Sequence, residues 1–473
     1  MYCGDETAGL VGDFGTNSFK IGFAGEDTPR RDIPSVVGYC RAQKSETLDE
    51  KNEATPQNSN GTDNGVKPST TETPNVESKT SNVSPTLTPK KKPDPKVVFD
   101  FMSLKASCRE TEIARPMRNG MYEKFDLIES MWEHAITHEL SCKPEEHPLL
   151  ICDPSFNTLQ NREKLLETMF EKLRSPLLYV APNAMLSAFS VGRATALVVD
   201  VGASGTCVVP VNDGHLLRRS MKRSRVGGDM IDQHLTKLLE ESVVKKKIRV
   251  PSTIVKTRKD GTTQVNDKPS SVLTQIHPSY INWEKQSVVQ DFKRSVCRVW
   301  ADLKFDRTAA SAYMEEKYVL PDGTNVSIGA DRFVSPEFLV DPNIDAAYFK
   351  RFYSKKEWEA SSILSKALPF MIRDSIQGSH VDLRKELAQQ ILLVGGGSLL
   401  PGTIERLGKE LGEILPPALK SRFLAPGKSQ RLYSAWTGGS VLASLGSFQQ
   451  MWLSKAEYEE HGARSLLLSR CTM

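Results

Sequence analysis

The stretch "LVGDFGTNSFKIGFAGEDTPRRDIPS" (Leu10–Ser35) sets an acid between glycines directly after a short apolar run and follows it with a second apolar run. An acid and bare backbone at the end of a strand serve a phosphate and its metal ion, or they serve only a tight hairpin. Other stretches narrow the choice. "TALVVDVGAS" (195–204) is again an apolar, β-branched run ending in Asp and Gly, and "QQILLVGGGS" (389–398) is a third such run, ending in three glycines. "PLLICD" (148–153) reads as a buried strand, and "NREKLLETMFEKL" after it places Leu166, Met169, Phe170 and Leu173 on one helical face. A second helix, "TIERLGKELGEIL", follows the triglycine. Strand, loop and helix in this order, with glycines at strand ends, predict an α/β fold with ligands at the carboxyl ends of the strands.

Asp13-Phe14-Gly15 and Asp200-Val201-Gly202 form a pair. Two such hairpins facing one another bring two carboxylates near one point, beside backbone N–H groups that cradle phosphate oxygens. The carboxylates would hold Mg2+ through water, because that ion keeps much of its hydration. Lys20, on the outgoing strand of the first hairpin, reaches a β- or γ-phosphate as a point charge. The Gly395-Gly396-Gly397 turn lets backbone approach a flat base or sugar closely.

Length and composition bound the rest. A chain of 473 residues with 39% hydrophobic and 25% charged residues fits a soluble globular protein and is long enough for two to four domains or subdomains. A net charge of +4 sets up no global field for nucleic acid. No secretory leader is expected in "MYCGDETAGL", and no apolar run reaches the roughly 20 residues that span a bilayer, so no membrane partner is expected. Eight scattered cysteines without C-x-x-C pairs read as reduced thiols in cytosol or nucleus. Residues 41–96 hold no aromatic, isoleucine or methionine and read as a disordered surface insertion. It ends in "PKKKP", where Lys90, Lys91 and Lys92 resemble a nuclear-import signal; a solvated charge run is the equal alternative. A second irregular, basic stretch covers about 241–285, and 343–362 is a third insertion. His134 and His138 have the spacing of two zinc ligands, but Ala135 stands where a metalloprotease has Glu, and plain helix histidines fit better. The basic clusters "LLRRSMKRSR" (216–225), "VVKKKIRV" and "KTRK" (243–259) carry no interleaved aromatics. A solvated face or an acidic protein partner fits them better than DNA.

From end to end, outside the insertions, the sequence is similar to actin and the actin-related proteins. The stretches that carry the resemblance are "GFAGEDTPRRDIPS" (22–35), "PEEHPLLICDPSFNTLQNREKLLETMFE" (144–171), "YVLPDGTNVSIGADRF" (318–333), "LLPGTIERLGKEL" (399–411) and "YSAWTGGSVLASLGSFQQMWLSKAEYEEHG" (433–462). The resemblance implies an actin-like two-lobed ATPase fold of α/β class, with four subdomains on a duplicated ribonuclease-H-like core. Subdomain 1 would comprise 1–34, 116–190 and 434–473, and subdomain 2 would comprise 35–115. Subdomain 3 would comprise 191–226 and 348–433, and subdomain 4 would comprise 227–347. The lobes would close on ATP with Mg2+, lined by Asp13, Gly15, Thr16, Asn17, Lys20, Asp200, Gly202, Gly227, Lys293, Gly395, Gly396 and Gly397.

Departures from the family pattern matter as much. The glutamine that orients the attacking water in actins is Asn183, in "APNAMLS". In the second hairpin, Ala203 and Cys207 replace an acid near the metal and a histidine near the water. A misplacement of about 1 Å costs on the order of 100-fold in rate, so losing three groups predicts little or no hydrolysis and no catalytic residues. Arg294 replaces an acid that contacts the sugar, and Asn119 replaces the histidine that actins methylate. The insertions at 41–96 and 343–362 fall on filament contacts, which predicts no homo-polymer.

Asn183, the altered second hairpin and the C-terminal stretch resemble the nuclear subfamily of actin-related proteins that serves chromatin complexes, the fourth class. That resemblance implies a nuclear structural subunit of remodelling and histone acetyltransferase complexes. It would pair with actin as a heterodimer on a scaffold helix, with Tyr179, Met185, Phe189, Met451 and Trp452 as groove contacts. Two other readings stay open: an active ATPase that caps or joins filaments, and a DNA- or nucleosome-binding module acting through 216–259.

Overall fold

The structure, a computed structural model, describes residues 8–40, 96–99, 101–106, 111–259, 262–359 and 362–471. The "PKKKP" motif and nearly all of the 41–96 insertion lie outside the described residues.

Two sheets carry the fold. In the first, strands run in the order Leu453–Ser454, Leu177–Pro182, Leu149–Asp153, Leu10–Phe14, Ser18–Phe23, Arg31–Pro34. Leu10–Phe14 pairs in parallel with Leu149–Asp153 and antiparallel with Ser18–Phe23. In the second, Ala196–Val201 pairs in parallel with Ile391–Val394 and antiparallel with Thr206–Asn212. One strand with a hairpin partner on one side and a parallel neighbour on the other is thus used twice, and each sheet has its own core. The fold is mixed α/β, as the alternation of strand and helix runs predicts.

The apolar runs behave as their patterns require. Leu149–Asp153 is buried along its whole length, as a strand covered on both faces must be. Leu166, Met169, Phe170 and Leu173 all face the first core, from a helix over Leu159–Glu167 that continues as one wider turn to Lys172.

One expectation needs correction. The described part of 241–285 is not irregular: Ile254–Lys259 pairs antiparallel with Thr262–Asp267, and a 19-residue helix begins at Pro278. Lysines and arginines on the exposed strands concealed the pairing. In the third insertion, the helix Ala346–Lys350 roots Tyr348 and Phe349 in the second core and Lys355–Glu359 follows it, so aromatic burial outweighs the surrounding charge.

His234 sits in that core against the rings of Phe338 and Tyr348, its Nδ1 2.9 Å from Ser335 Oγ. Burial holds its pKa down to about 4, with Asp345 opposing. The fold therefore accepts the neutral ring. That contribution is complete above the unfolded-state pKa and is lost as pH falls through the 6.5-to-4 window. With solvent screening allowed for, the wild type should lose about 1 kcal/mol more than His234→Gln between about pH 7 and pH 5 in urea denaturation. Parallel losses in the two proteins would refute this.

Candidate functional site

Two hairpins meet at one cleft, and they are built alike. Gly15 N–H donates to the Ser18 carbonyl at 3.0 Å, and Gly202 N–H donates to the Gly205 carbonyl at 3.0 Å. In register, Asp13 faces Lys20 and Asp200 faces Cys207. Thr16 Oγ1 donates to Ser204 Oγ at 3.1 Å and joins the two tips. The glycines beside Asp13 divide their work. A Cβ at Gly12 would fall inside van der Waals contact of the Trp132 ring, so Gly12 serves packing; one at Gly15 would meet the Ser18 carbonyl oxygen at 2.9 Å, so Gly15 serves the turn.

The cleft between them has a volume of about 1310 Å³. Asp13, Gly15, Thr16, Asn17, Lys20, Asp200, Gly202, Lys293, Gly395, Gly396 and Gly397 all line it, as do Asn183, Cys207 and Arg294. Gly227 does not. A Cβ on Gly227 would meet the Ala203 and Gly202 carbonyl oxygens at 2.7 and 2.8 Å, so it packs behind the second hairpin and Gly228 takes the wall instead. Gly395 has φ +82° and is packed against Asp200 Oδ1, so a side chain fits there neither in conformation nor in space. Its N–H donates to the Arg431 carbonyl, and Arg431 in turn donates to the Ser398 carbonyl, so Arg431 fixes the triglycine turn from outside.

The charges leave room for a cation. Burial pushes Asp200 up to about 6, helped by the charge of Asp13 and opposed by Lys20. Burial works against the Lys20 ammonium too, but Asp13, 3.2 Å away, with Asp32 and Asp200, holds its pKa above the ordinary value. One lysine thus serves two acids, and Asp200 is short of a counter-charge. Among the described residues no group of three His, Cys, Asp or Glu side chains gathers to ligate a metal directly. Two carboxylates with this deficit fit a divalent ion that keeps its water shell. His134 and His138 lie 5.0 Å apart, ring to ring, with Phe99 stacked on His134 and Glu139 3.8 Å from it, and among the described residues they form no group of three that could hold a metal. On the far wall Lys293 pairs with the buried Asp232 at 2.7 Å and donates to the Gly228 carbonyl at 3.3 Å.

Ser155 is a residue that sequence reasoning missed. Its N–H and Oγ–H donate to Asn183 Oδ1 at 3.0 and 2.6 Å, and its Oγ accepts from Ala184 N–H at 3.1 Å. The cleft is also clasped at its mouth. Val36 and Leu104 pack with Ile276, Tyr280 and Trp283 of the opposite wall, and Tyr280 Oη donates to the Leu104 carbonyl at 3.1 Å. Arg223 lies 3.6 Å over the Phe156 ring and donates to the Asn119 carbonyl, tying the walls together below the hairpins.

The expected partner groove is altered by burial. Tyr179, Met185 and Trp452 belong to the first core, where Tyr179 and Trp452 each meet Phe448 edge to face. Only Met451 is exposed, and Phe189 is half-buried. Two apolar side chains at the end of the helix Lys428–Ser444, Val441 and Leu445, are 45% and 46% exposed. A helix pattern hid them, because period alone does not say which face lacks a neighbour.

The family model for actin matches residues 4–472. The chain is 38% identical to a rice protein (Oryza sativa subsp. indica) named Actin-related protein 4, over the full length of both. It is equally similar to the protein of that name in Arabidopsis thaliana, and 30% identical to the one in Yarrowia lipolytica, across 99% of this chain and 96% of the other. With the duplicated hairpins and the cleft between them, these matches show that the chain belongs to the actin family.

Proposed function

We propose that this protein is a non-polymerising nuclear actin-related subunit of chromatin-remodelling and histone acetyltransferase complexes. It pairs with actin on a helical scaffold segment, and its cleft holds ATP with Mg2+ as a structural ligand that is hydrolysed little or not at all. The observation that carries this reading is the state of Asn183. Its side-chain carbonyl, the acceptor that would orient a water, is committed to two hydrogen bonds from Ser155. Cys207, opposite Asp200, is held neutral by burial, which pushes its thiol up to about 12, and Ala203 offers no polar group. No side chain at these three positions can accept a proton from water at neutral pH.

Binding needs less than turnover. Asp13 and Asp200 would hold the ion, the hairpin turns the phosphates, and the triglycine turn the base and sugar. The bound ion would neutralise phosphate charge. Lys20 compensates Asp13, Lys293 compensates Asp232, and the clasp around Tyr280 and Trp283 retains what lies beneath. A ligand at about 100 times its dissociation constant adds about 2.7 kcal/mol to stability, enough to hold two walls closed. Exposed Val441, Leu445 and Met451, within eleven residues of sequence, support docking of an amphipathic helix. The folded-back segment 343–359 supports the absence of a homo-polymer: Tyr353 Oη bonds Ser224 Oγ at 2.9 Å, and Arg225 pairs with Glu357.

The test is to incubate the purified chain with Mg-ATP, remove free nucleotide, denature after a day and resolve the released nucleotide by ion exchange. About one intact ATP per chain is expected, loaded at saturating ligand and then retained in the clasped cleft. Mostly ADP would overturn the structural reading in favour of a filament-joining ATPase. No nucleotide would leave only the scaffold role.

A further inference from the structure

A strongly basic stretch of this chain lies outside the cleft hairpins. Between residues 243 and 268 the sequence holds eight Lys and Arg against two Asp, a net charge of +6, while the whole chain carries +4. The rest of the protein is therefore slightly acidic in sum, with 216–225 as a second basic cluster. The structure folds this stretch into a two-stranded ribbon. Ile254–Lys259 and Thr262–Asp267 pair antiparallel, with Ile254 opposite Asp267 and Arg258 opposite Thr263, and no third strand joins them among the described residues.

Only the root of the ribbon is anchored. Ile254 is buried, and Ser252 N–H donates to the buried Glu284 at 3.0 Å. Beyond it Val255, Lys256, Thr257, Arg258, Thr263, Gln264 and Asn266 are exposed. Strand alternation places Lys256 and Arg258 together on one face, and Thr257, Gln264 and Asn266 on the other. Lys245, Lys246 and Lys247 are exposed in the segment leading in. Among the described residues no ion pair neutralises Lys245, Lys246, Lys247, Lys256 or Arg258, whereas Arg249 is taken by Asp267 at 2.8 Å and by Asp322 at 3.9 Å.

We propose that this ribbon is a docking arm for double-stranded DNA. A two-stranded ribbon is one of the two elements that the major groove admits, and cations on one face with hydroxyl and amide groups on the other supply phosphate contacts and base-edge donors. A protein partner fits less well. Protein interfaces centre on buried aromatic or large apolar anchors, and the apolar side chain offered here is Val255, 38% exposed. The sequence clusters alone favoured an acidic protein or plain solvation; the projecting, two-faced presentation moves the balance to a polyanion with a groove.

The experiment uses the full chain and a fluorescein-labelled duplex of about 30 base pairs, read by anisotropy between about 50 and 200 mM salt, where each phosphate contact contributes about 0.9 to the salt slope. Lys256→Ala/Arg258→Ala is expected to weaken binding roughly tenfold and lower the slope by about 2. An equal loss of charge elsewhere, Lys355→Ala/Lys356→Ala, should change affinity less than about twofold. Both side chains of the ribbon pair are exposed, so the melting temperature of that variant should match wild type, which separates a lost contact from a lost fold. No duplex binding by the wild type, equal weakening by the two double variants, or tighter binding of a glutamate-rich peptide than of the duplex would each overturn the assignment.

Discussion

Gly438→Ala should destabilise this protein by about 3 kcal/mol or more and lower its melting temperature by roughly 5–10 °C, or prevent its recovery in soluble form. Gly438 lies in the helix Lys428–Ser444 where that helix crosses Asn183–Phe189. A Cβ there would fall inside van der Waals contact of the Leu186 carbonyl group and 2.9 Å from Leu186 Cα. The obstacle is backbone, so no rotamer change relieves it. The next residue offers no slack, because a Cβ at Gly439 would meet Val11 Cγ1 at 2.9 Å and Leu150 Cδ2 at 3.0 Å. The helices would have to separate, which breaks the Ser187–Ser434 contact at 3.2 Å and shifts the turn that carries Asn183. Gly408→Ala is the matched control. It lies in the helix Thr403–Ile414 with nothing within 4 Å of its would-be Cβ, so it should stabilise by about 0.5–1 kcal/mol through helix propensity. A melting temperature for Gly438→Ala within about 2 °C of wild type would show that the crossing is not as close as described.

Arg406→Met should cost about 3–5 kcal/mol, and removing its partner as well should restore most of that loss. Arg406 and Glu337 are 1% and 0% exposed and pair at 2.6 Å; Arg406 also reaches Glu410 at 2.7 Å and donates to the Trp300 carbonyl at 3.3 Å. Burial pushes Glu337 up to about 7 even with Arg406 holding it down. Without the guanidinium the carboxylate is stranded in the core of the second half and must take a proton to stay there. A group whose folded pKa is raised above its unfolded value of 4.5 loses stability as pH rises through that interval. Arg406→Met should therefore be more damaging at pH above about 7 than below it. In Arg406→Met/Glu337→Leu the fully buried charge is gone and the loss should shrink to the orphaned Trp300 carbonyl and the partly exposed Glu410, on the order of 1–3 kcal/mol. Urea denaturation of the four proteins closes the cycle. Additive single losses would mean that the two side chains do not act as a pair.

The alternation of strands and helices was legible in the sequence because the signals are local. "LVGDF", "LLICD", "ALVVDV" and "ILLV" are buried strands wherever they occur, since β-branched runs bounded by Gly and Asp admit little else. The helical face of Leu166, Met169, Phe170 and Leu173 follows from a 3.6-residue period alone. Even the pairing of Asp13 with Asp200 was readable, as one motif written twice.

What remained hidden depends on segments far apart in the chain. Ser155 reaches Asn183 across 28 residues, and nothing near either position announces the hydrogen bond. Gly228 rather than Gly227 faces the cleft because of how the second hairpin packs behind it. Tyr179, Met185 and Trp452 are core, and Val441 and Leu445 are surface, although all five have the apolar character of either role. Composition and period thus determined which elements form and which carry acids and glycines. Only the tertiary structure decided which side chains are covered and which carboxylate lacks a counter-charge. It alone shows which amide is already spoken for, because burial, charge balance and hydrogen bonding between distant residues belong to the assembled neighbourhood and not to any one stretch of the chain.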